Sequence, residues 1–169
     1  MLVERYVSHA DLGEQGGRRL LAWCRAQGAD SFTFTVVGTP PDLERDAALI
    51  EAPLEPYRIP TTNVRAIPDG EPGSKWTRVS VLWELNDTTE AVLFGCFPHG
   101  LLTVTPARGS WCEDPCLFRG DELMLGIVSH ENEGVLRIHA REQLALDQSE
   151  FPYRLIASGS ATSSVAKRR

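Results

Sequence analysis

Apolar positions along this chain recur with two periods, and the shorter one dominates its C-terminal half. Between Gly120 and Arg141 an apolar run (Leu123 to Val128) meets a polar turn at His130-Glu131-Asn132-Glu133-Gly134, and a second run (Val135 to Ala140) follows. The pattern predicts a β-hairpin with Gly134 free to take a positive-φ turn position. Leu123, Leu125 and Ile127 are expected on one sheet face, as are Leu136 and Ile138, because strand side chains alternate. Ser31 to Val37 also alternates, with Phe32, Phe34 and Val36 opposed to threonines, and predicts a half-buried strand. Thr77, Val79, Val81, Trp83 and Leu85 define another strand. A turn at Asn86-Asp87-Thr88-Thr89 is expected to return the chain as a strand from Glu90 to Phe97, and Pro98-His99-Gly100 to turn it into a strand from Leu101 to Thr105.

The helical period appears near the N-terminus. Ser8 stands three residues before Asp11, an acidic variant of the capping box. Leu12, Gly16, Leu20, Trp23 and Cys24 follow on one face, and Gly28 is placed to end the helix. Gly16 and Gly17 then fall inside it, each costing about 1 kcal/mol relative to alanine. Thr39, Pro40 and Asp42 open a second helix with Leu43, Ala47 and Ile50 on its buried face and Pro53 past its end. Residues 53–73 carry prolines at 53, 56, 60, 68 and 72 and predict an irregular segment laid on the surface through Tyr57, Ile59, Val64 and Ile67. Residues 106–121 read as a second irregular segment, and 142–153 as a short helix or an edge segment. The expected fold is α+β: an antiparallel meander of about five or six strands with one or two N-terminal helices packed on one face. Residues 1–156 form a single globular domain in this reading, and the small, polar, basic-tipped 157–169 a disordered tail.

Composition changes this picture little. At 169 residues with 42% hydrophobic positions, the chain can bury a core. The net charge of −6 argues against nucleic acid as a partner, since phosphates call for a basic face. No charged n-region with an apolar core opens the chain, and no apolar run approaches the ~20 residues that span a bilayer. A cytoplasmic setting without membrane association is therefore expected.

Candidate chemistry centres on Cys96-Phe97-Pro98-His99 and Cys112-Glu113-Asp114-Pro115-Cys116. Thiolates and imidazole are zinc ligands, and a tetrahedral site wants four of them. Cys96, His99, Cys112 and Cys116 would supply it, although three residues intervene in the second pair and Cys96 lies in an apolar run. Absent zinc, no cofactor is implied. Cys112 and Cys116 could alternatively form a local disulfide or redox pair, though redox pairs ordinarily have two intervening residues and open a helix. Ser129-His130-Glu131 offers a nucleophile, base and acid in sequence, but adjacent residues of a strand point to opposite faces, so a polar turn is the better reading.

Acidic residues gather in the last third: Glu113, Asp114, Asp121, Glu122, Glu131 and Glu133, all assigned to loops or turns. Should those turns meet at one end of the sheet, they form a negative patch beside Trp111 and Phe118. Aromatic anchors with an acidic rim suit a basic protein partner. Phosphate loops, metalloprotease helices and nucleophile elbows are absent. Three classes remain. A small cytoplasmic, non-enzymatic protein-binding domain, of an immunity, antitoxin-like or accessory-subunit kind, would use Trp111, Glu113, Asp114, Phe118, His130, Glu131 and Glu133; self-association is compatible with it. A zinc-stabilised domain would use the Cys96/His99/Cys112/Cys116 set. An enzyme would place a loop-built site around His130 or Cys112. The first is favoured, for its acidic charge, modest size and lack of a catalytic motif.

Overall fold

A computed structural model describes residues 1–13, 15–38, 42–60, 77–104, 110–149 and 151–155, with the backbone alone described for 77–80. The expected tail at 157–169, most of the Pro-rich segment and the Thr39–Pro40 cap lie outside them. Among the described residues seven antiparallel strands form one sheet: β1 (Leu2–Ser8), β2 (Ser31–Gly38), β3 (Thr77–Glu84), β4 (Ser110–Arg119), β5 (Glu122–Val128), β6 (Glu133–His139) and β7 (Arg154–Leu155), in the order β3-β2-β4-β5-β6-β1-β7. The fold is α+β, as expected. Only β4-β5-β6 is a meander, however: β1 crosses to the far side of β6, and β2 is inserted between β3 and β4.

Among the described residues five α-helices accompany the sheet: α1 (His9–Leu12), α2 (Gly16–Ala26) and α3 (Asp42–Glu51) from the N-terminal third, where one or two were expected, then α4 (Asp87–Cys96) and α5 (Gln143–Gln148). Ser8 does cap, its Oγ accepting from Asp11 N at 3.3 Å. The single N-terminal helix is broken in two, because Gly13 takes φ 68° after only one turn. Gly16 and Gly17 therefore open α2 instead of weakening its middle. At Gly17 an added Cβ would lie 2.9 Å from Leu101 N, so glycine permits the backbones to touch. Gly28 ends α2 with φ 95°, as its position predicted.

Three segments take other structures than their patterns predict. Of residues 90–97, expected as a strand, 90–96 belong to α4 and Phe97 is its C-cap. Asn86 is not a turn residue but its N-cap, accepting from Thr88 N and Thr89 N at 3.0 and 3.1 Å, while Thr89 Oγ1 accepts from Asn86 N at 2.9 Å. Leu101–Thr103 form a turn, not the start of a strand, and 110–119 form the buried strand β4, not an irregular loop. The segment 142–153 resolves into α5 and a buried Phe151.

Strand alternation separates the sheet residues into two sets. Val7, Phe32, Phe34, Val36, Trp83, Cys112, Leu117, Leu125, Ile127, Leu136 and Ile138 join Leu20, Leu21, Cys24, Leu43, Ala47, Leu93, Phe94 and Leu146 of the helices in one core. Trp83 stacks on Phe34 at 4.9 Å between ring centroids, and Phe97 meets Phe34 edge-on at 6.0 Å. Each of these large side chains contributes about 1.5–3 kcal/mol by leaving water. Arg25 joins α2 to α4, bonding Asp87 at 2.8 Å and Glu90 at 2.5 Å.

The hairpin forms as predicted, with a different turn and one displaced residue. Asn132, at φ 58°, takes the left-handed position expected of Gly134. Gly134 lies inside β6, where a Cβ would meet Gly126 O at 3.0 Å. Leu117 pairs with Leu125 but Phe118 pairs with Leu123, so Met124 is an extra bulge residue. Met124, Leu125 and Ile127 reach the core, while Leu123 turns to the other face against Gly126, which corrects the shared face expected for Leu123, Leu125 and Ile127.

Candidate binding face

β4 holds most of the residues singled out as functional, and its register decides where they point. Trp111, Glu113, Cys116 and Phe118 pair with Val37, Thr35, Thr33 and Ser31, which alternate away from Phe32, Phe34 and Val36. Trp111, Glu113 and Phe118 therefore share the sheet face opposite the core. The step from Glu113 to Cys116 spans three residues on β4 against two on β2, and this bulge contains Asp114.

Glu113 and Asp114 were expected as solvated loop acids. Both are buried, at 7% and 5% exposure. Trp111 Nε1 donates to Glu113 Oε2 at 3.4 Å. Asp114 has φ 53°, unusual for a residue with a side chain, and is held there by a reciprocal pair: Asp114 N donates to Ser129 Oγ and Ser129 N donates to Asp114 Oδ1, each at 2.8 Å. Asp114 thus fastens the bulge of β4 to the turn between β5 and β6, while Glu113 accepts from Trp111 of its own strand. They are unavailable as steering charges.

The other acids do not gather. Asp121 and Glu122 sit at the β4–β5 turn, whereas Glu131 and Glu133 flank the β5–β6 turn at the opposite end of β5. Glu122 is engaged by Arg119 at 3.0 Å, and Arg119 also bonds the buried Glu142 at 2.7 Å. His130 and Glu131 are exposed, with Nε2 and Oε1 4.0 Å apart, and Glu133 is half-buried. Ser129 is buried with its Oγ accepting from Asp114 N–H, while the neighbouring His130 faces solvent. Ser129–Glu131 form a single 3-10 turn, so the polar turn expected is what stands here and strand alternation does not apply to these three residues.

The four cysteine and histidine positions do not converge. Cys112 pairs with Val36 on the core face and Cys116 with Thr33 on the other. Among the described residues no three His, Cys, Asp or Glu side chains are grouped as metal ligands, so the expected Cys96/His99/Cys112/Cys116 quartet is not assembled. The Cys112–Cys116 redox pair is excluded on the same ground, the two thiols lying on opposite faces. Cys116 is buried, donates to Asp114 O at 3.6 Å, and is pushed up to about 12 by loss of water.

The same geometry gathers residues that the periodicity did not flag. Tyr6 pairs with Val135, Val135 with Gly126, and Val128 with Glu133. With Phe118 and Leu123 they form a half-buried apolar stripe across β4, β5, β6 and β1, all outside the core. Its rim carries Glu4 and Arg137, bonded at 2.9 Å, and Arg154, which lies over the Tyr6 ring and bonds Asp11 at 2.9 Å. The signal for β1 was present in Val3, Tyr6 and Val7, but a lone N-terminal segment shows no partner in sequence.

Among the described residues no helix is long and apolar enough to cross a membrane. No family model, no curated protein and no solved structure matches the chain. The class defined here is thus structural: an α+β chain built on a seven-stranded antiparallel sheet.

Proposed function

We propose that this chain is a small, non-enzymatic, cytoplasmic protein-binding domain, of an immunity or accessory-subunit kind. It receives a basic protein on the sheet face bearing Tyr6, Phe118, Leu123, Val128 and Val135. The half-buried apolar stripe is the observation that carries this reading. Its five residues stand outside the core, and contiguous apolar surface with aromatic members is what partner sites use as anchors. Glu131 and Glu133 at one end, with the net charge of −6, favour approach of a basic partner. Glu113 and Asp114, buried in the bulge, set the surface without touching the partner, and Trp111 extends the stripe along β4.

The test is capture from native extract by the immobilised full chain, followed by calorimetric titration of the purified captured protein. Val135→Arg is expected to weaken Kd at least about tenfold, since a desolvated charge replaces an anchor. Paired Glu131→Lys and Glu133→Lys should chiefly slow association and flatten its salt dependence. An unchanged Kd for Val135→Arg, in a variant that melts like the parent, removes the proposed face.

A further inference from the structure

Gly126 lies within the half-buried apolar stripe, in β5 between Cys116 of β4 and Val135 of β6. A glycine inside a strand weakens it, having more backbone entropy to lose and no side chain to pack. At other positions of this fold, contact or conformation demands the residue. A Cβ at Gly17 or Gly134 would lie 2.9 or 3.0 Å from a backbone atom, and Gly13, Gly28 and Gly120 take positive φ. Neither reason holds at Gly126. Its φ is outside the left-handed region, and among the described residues an added Cβ would meet only Leu123, Cδ2 at 3.4 Å and Cδ1 at 4.0 Å. That is ordinary van der Waals contact. The outer face thus has a dimple, floored by the Gly126 backbone and flanked by Leu123 and Val135, which the packing of the described fold does not require. A bare backbone position of this kind admits a side chain of another molecule at close range.

The charges around the dimple point to what accompanies that side chain. Glu4 is bonded to Arg137, Asp11 to Arg154, and Glu122 to Arg119. Glu133 differs. It is half-buried, shares the outer side of β6 with Val135 two residues away, and stands opposite Val128 of β5. Among the described residues its carboxylate has neither an ion pair nor a hydrogen bond. A half-buried carboxylate without a cation favours a Lys or Arg brought by a partner. The Gly126–Val135 rung and the Val128–Glu133 rung are two residues apart along the strands, about 6.8 Å. The stripe is a sheet face and offers no edge groups for pairing, so an extended segment laid on it would leave its own backbone unpaired. A helix satisfies its backbone internally, and its residues i and i+4 stand about 6 Å apart on one side.

We propose that this face receives an amphipathic helix of the partner, laid along β5 and β6, with one apolar side chain seated over Gly126 and a Lys or Arg four residues away paired with Glu133. The docking mode rests on the binding face proposed above and adds the chemistry of what that face holds. Val135, Leu123 and Val128 enclose the apolar side chain and keep water from the neighbouring ion pair, which strengthens it. The matched charges of Glu4, Asp11 and Glu122 leave the rest of the rim without a call for further cations.

A phage-displayed helix library, randomised along one face, is panned on the immobilised full chain and counter-selected on Val135→Arg. Selected helices are expected to carry an apolar residue with Lys or Arg four positions away. The tightest, made as a labelled peptide, is titrated by fluorescence anisotropy against wild type, Gly126→Val and Glu133→Gln. Filling the dimple with Gly126→Val should weaken Kd at least about tenfold. Glu133→Gln should weaken it about fivefold to tenfold, and that loss should vanish for a peptide whose Lys or Arg is replaced by Met. Gly126→Ala, whose methyl meets only Leu123 among the described residues, should shift Kd in the same direction and replaces the valine variant should that one misfold. Failure to select any helix that distinguishes wild type from Val135→Arg would remove the binding face and this docking mode with it. Val135-dependent helices that lack the apolar–basic pair, or that bind Gly126→Val and Glu133→Gln as tightly as wild type, would overturn the docking mode alone and leave the face standing.

Discussion

Replacing Asp114 separates the structural role of the β4 bulge from that of an ordinary strand residue. Asp114 is 5% exposed, sits at φ 53°, and accepts from Ser129 N at 2.8 Å through Oδ1. Asp114→Ala leaves the Ser129 N–H buried without that acceptor, a cost of about 1–3 kcal/mol. Alanine also tolerates the left-handed region less well than aspartate, adding about 1 kcal/mol. The expected loss is then about 2–4 kcal/mol, a large share of the 5–15 kcal/mol typical of a domain. Asp114→Asn keeps an oxygen at the Oδ1 position and the tolerance for positive φ, so its loss should stay within about 1 kcal/mol. With a urea slope of about 2 kcal/mol/M, the alanine variant's midpoint should fall by about 1–2 M and the asparagine variant's by less than about 0.5 M. Equilibrium unfolding followed by tryptophan fluorescence and by circular dichroism measures both. Equal displacement of the two variants would falsify the argument, because it would mean that neither the Ser129 bond nor the backbone conformation sets the energy of the bulge.

Two glycines give opposite expectations. Gly17→Ala pushes a Cβ to 2.9 Å from Leu101 N and should destabilise by about 1–3 kcal/mol despite better helix propensity, whereas Gly95→Ala in α4, with nothing within 4 Å, should gain about 0.5–1 kcal/mol; thermal melts compare them. Removing Arg119 as Arg119→Met takes the cation from the buried Glu142 carboxylate, which keeps the His139 N–H on its other oxygen, and a loss of about 3 kcal/mol in urea denaturation is expected. Glu51 has one carboxylate oxygen buried without a hydrogen-bond partner among the described residues, and burial raises its pKa, with Arg58 opposing and Glu55 adding to the shift. Between the ordinary carboxyl value and the raised one, the folded state holds a proton that the unfolded state has released, so stability falls as pH rises across that window. Glu51→Gln should therefore stabilise at pH 7 and lose its advantage below the ordinary carboxyl range; an advantage independent of pH refutes the assignment.

The fates of individual segments show what local pattern could carry. β2, β5, β6, α2 and α3 were legible because apolar residues recur at one period over most of each element, although β2 is buried on both faces where a half-buried strand was expected and the Met124 bulge interrupts β5. Residues 90–97 were not, since a continuous apolar run fits a buried strand or a helix equally; the deciding signal was the Asn86/Thr89 cap, which also resembles a turn. β4 was hidden by Pro115 and the charged pair Glu113-Asp114, which mark a loop unless a bulge absorbs them. The acidic-aromatic site was legible only as a list of residue types. The register of β4 buried Glu113 and Asp114, left Phe118 on the outer face, and put Cys112 and Cys116 on opposite sides.

The sequence by itself determined the α+β class, the hairpin arms, the Ser8 and Gly28 helix boundaries, and the lack of a recognisable catalytic motif. Only the tertiary structure decided the strand order, the two bulges and the outer stripe around Val135. The division has a physical cause. Propensity, capping and alternation act within a few residues, whereas register and strand order are set by which distant surfaces exclude water together, and a one-residue bulge reverses the facing of every side chain beyond it.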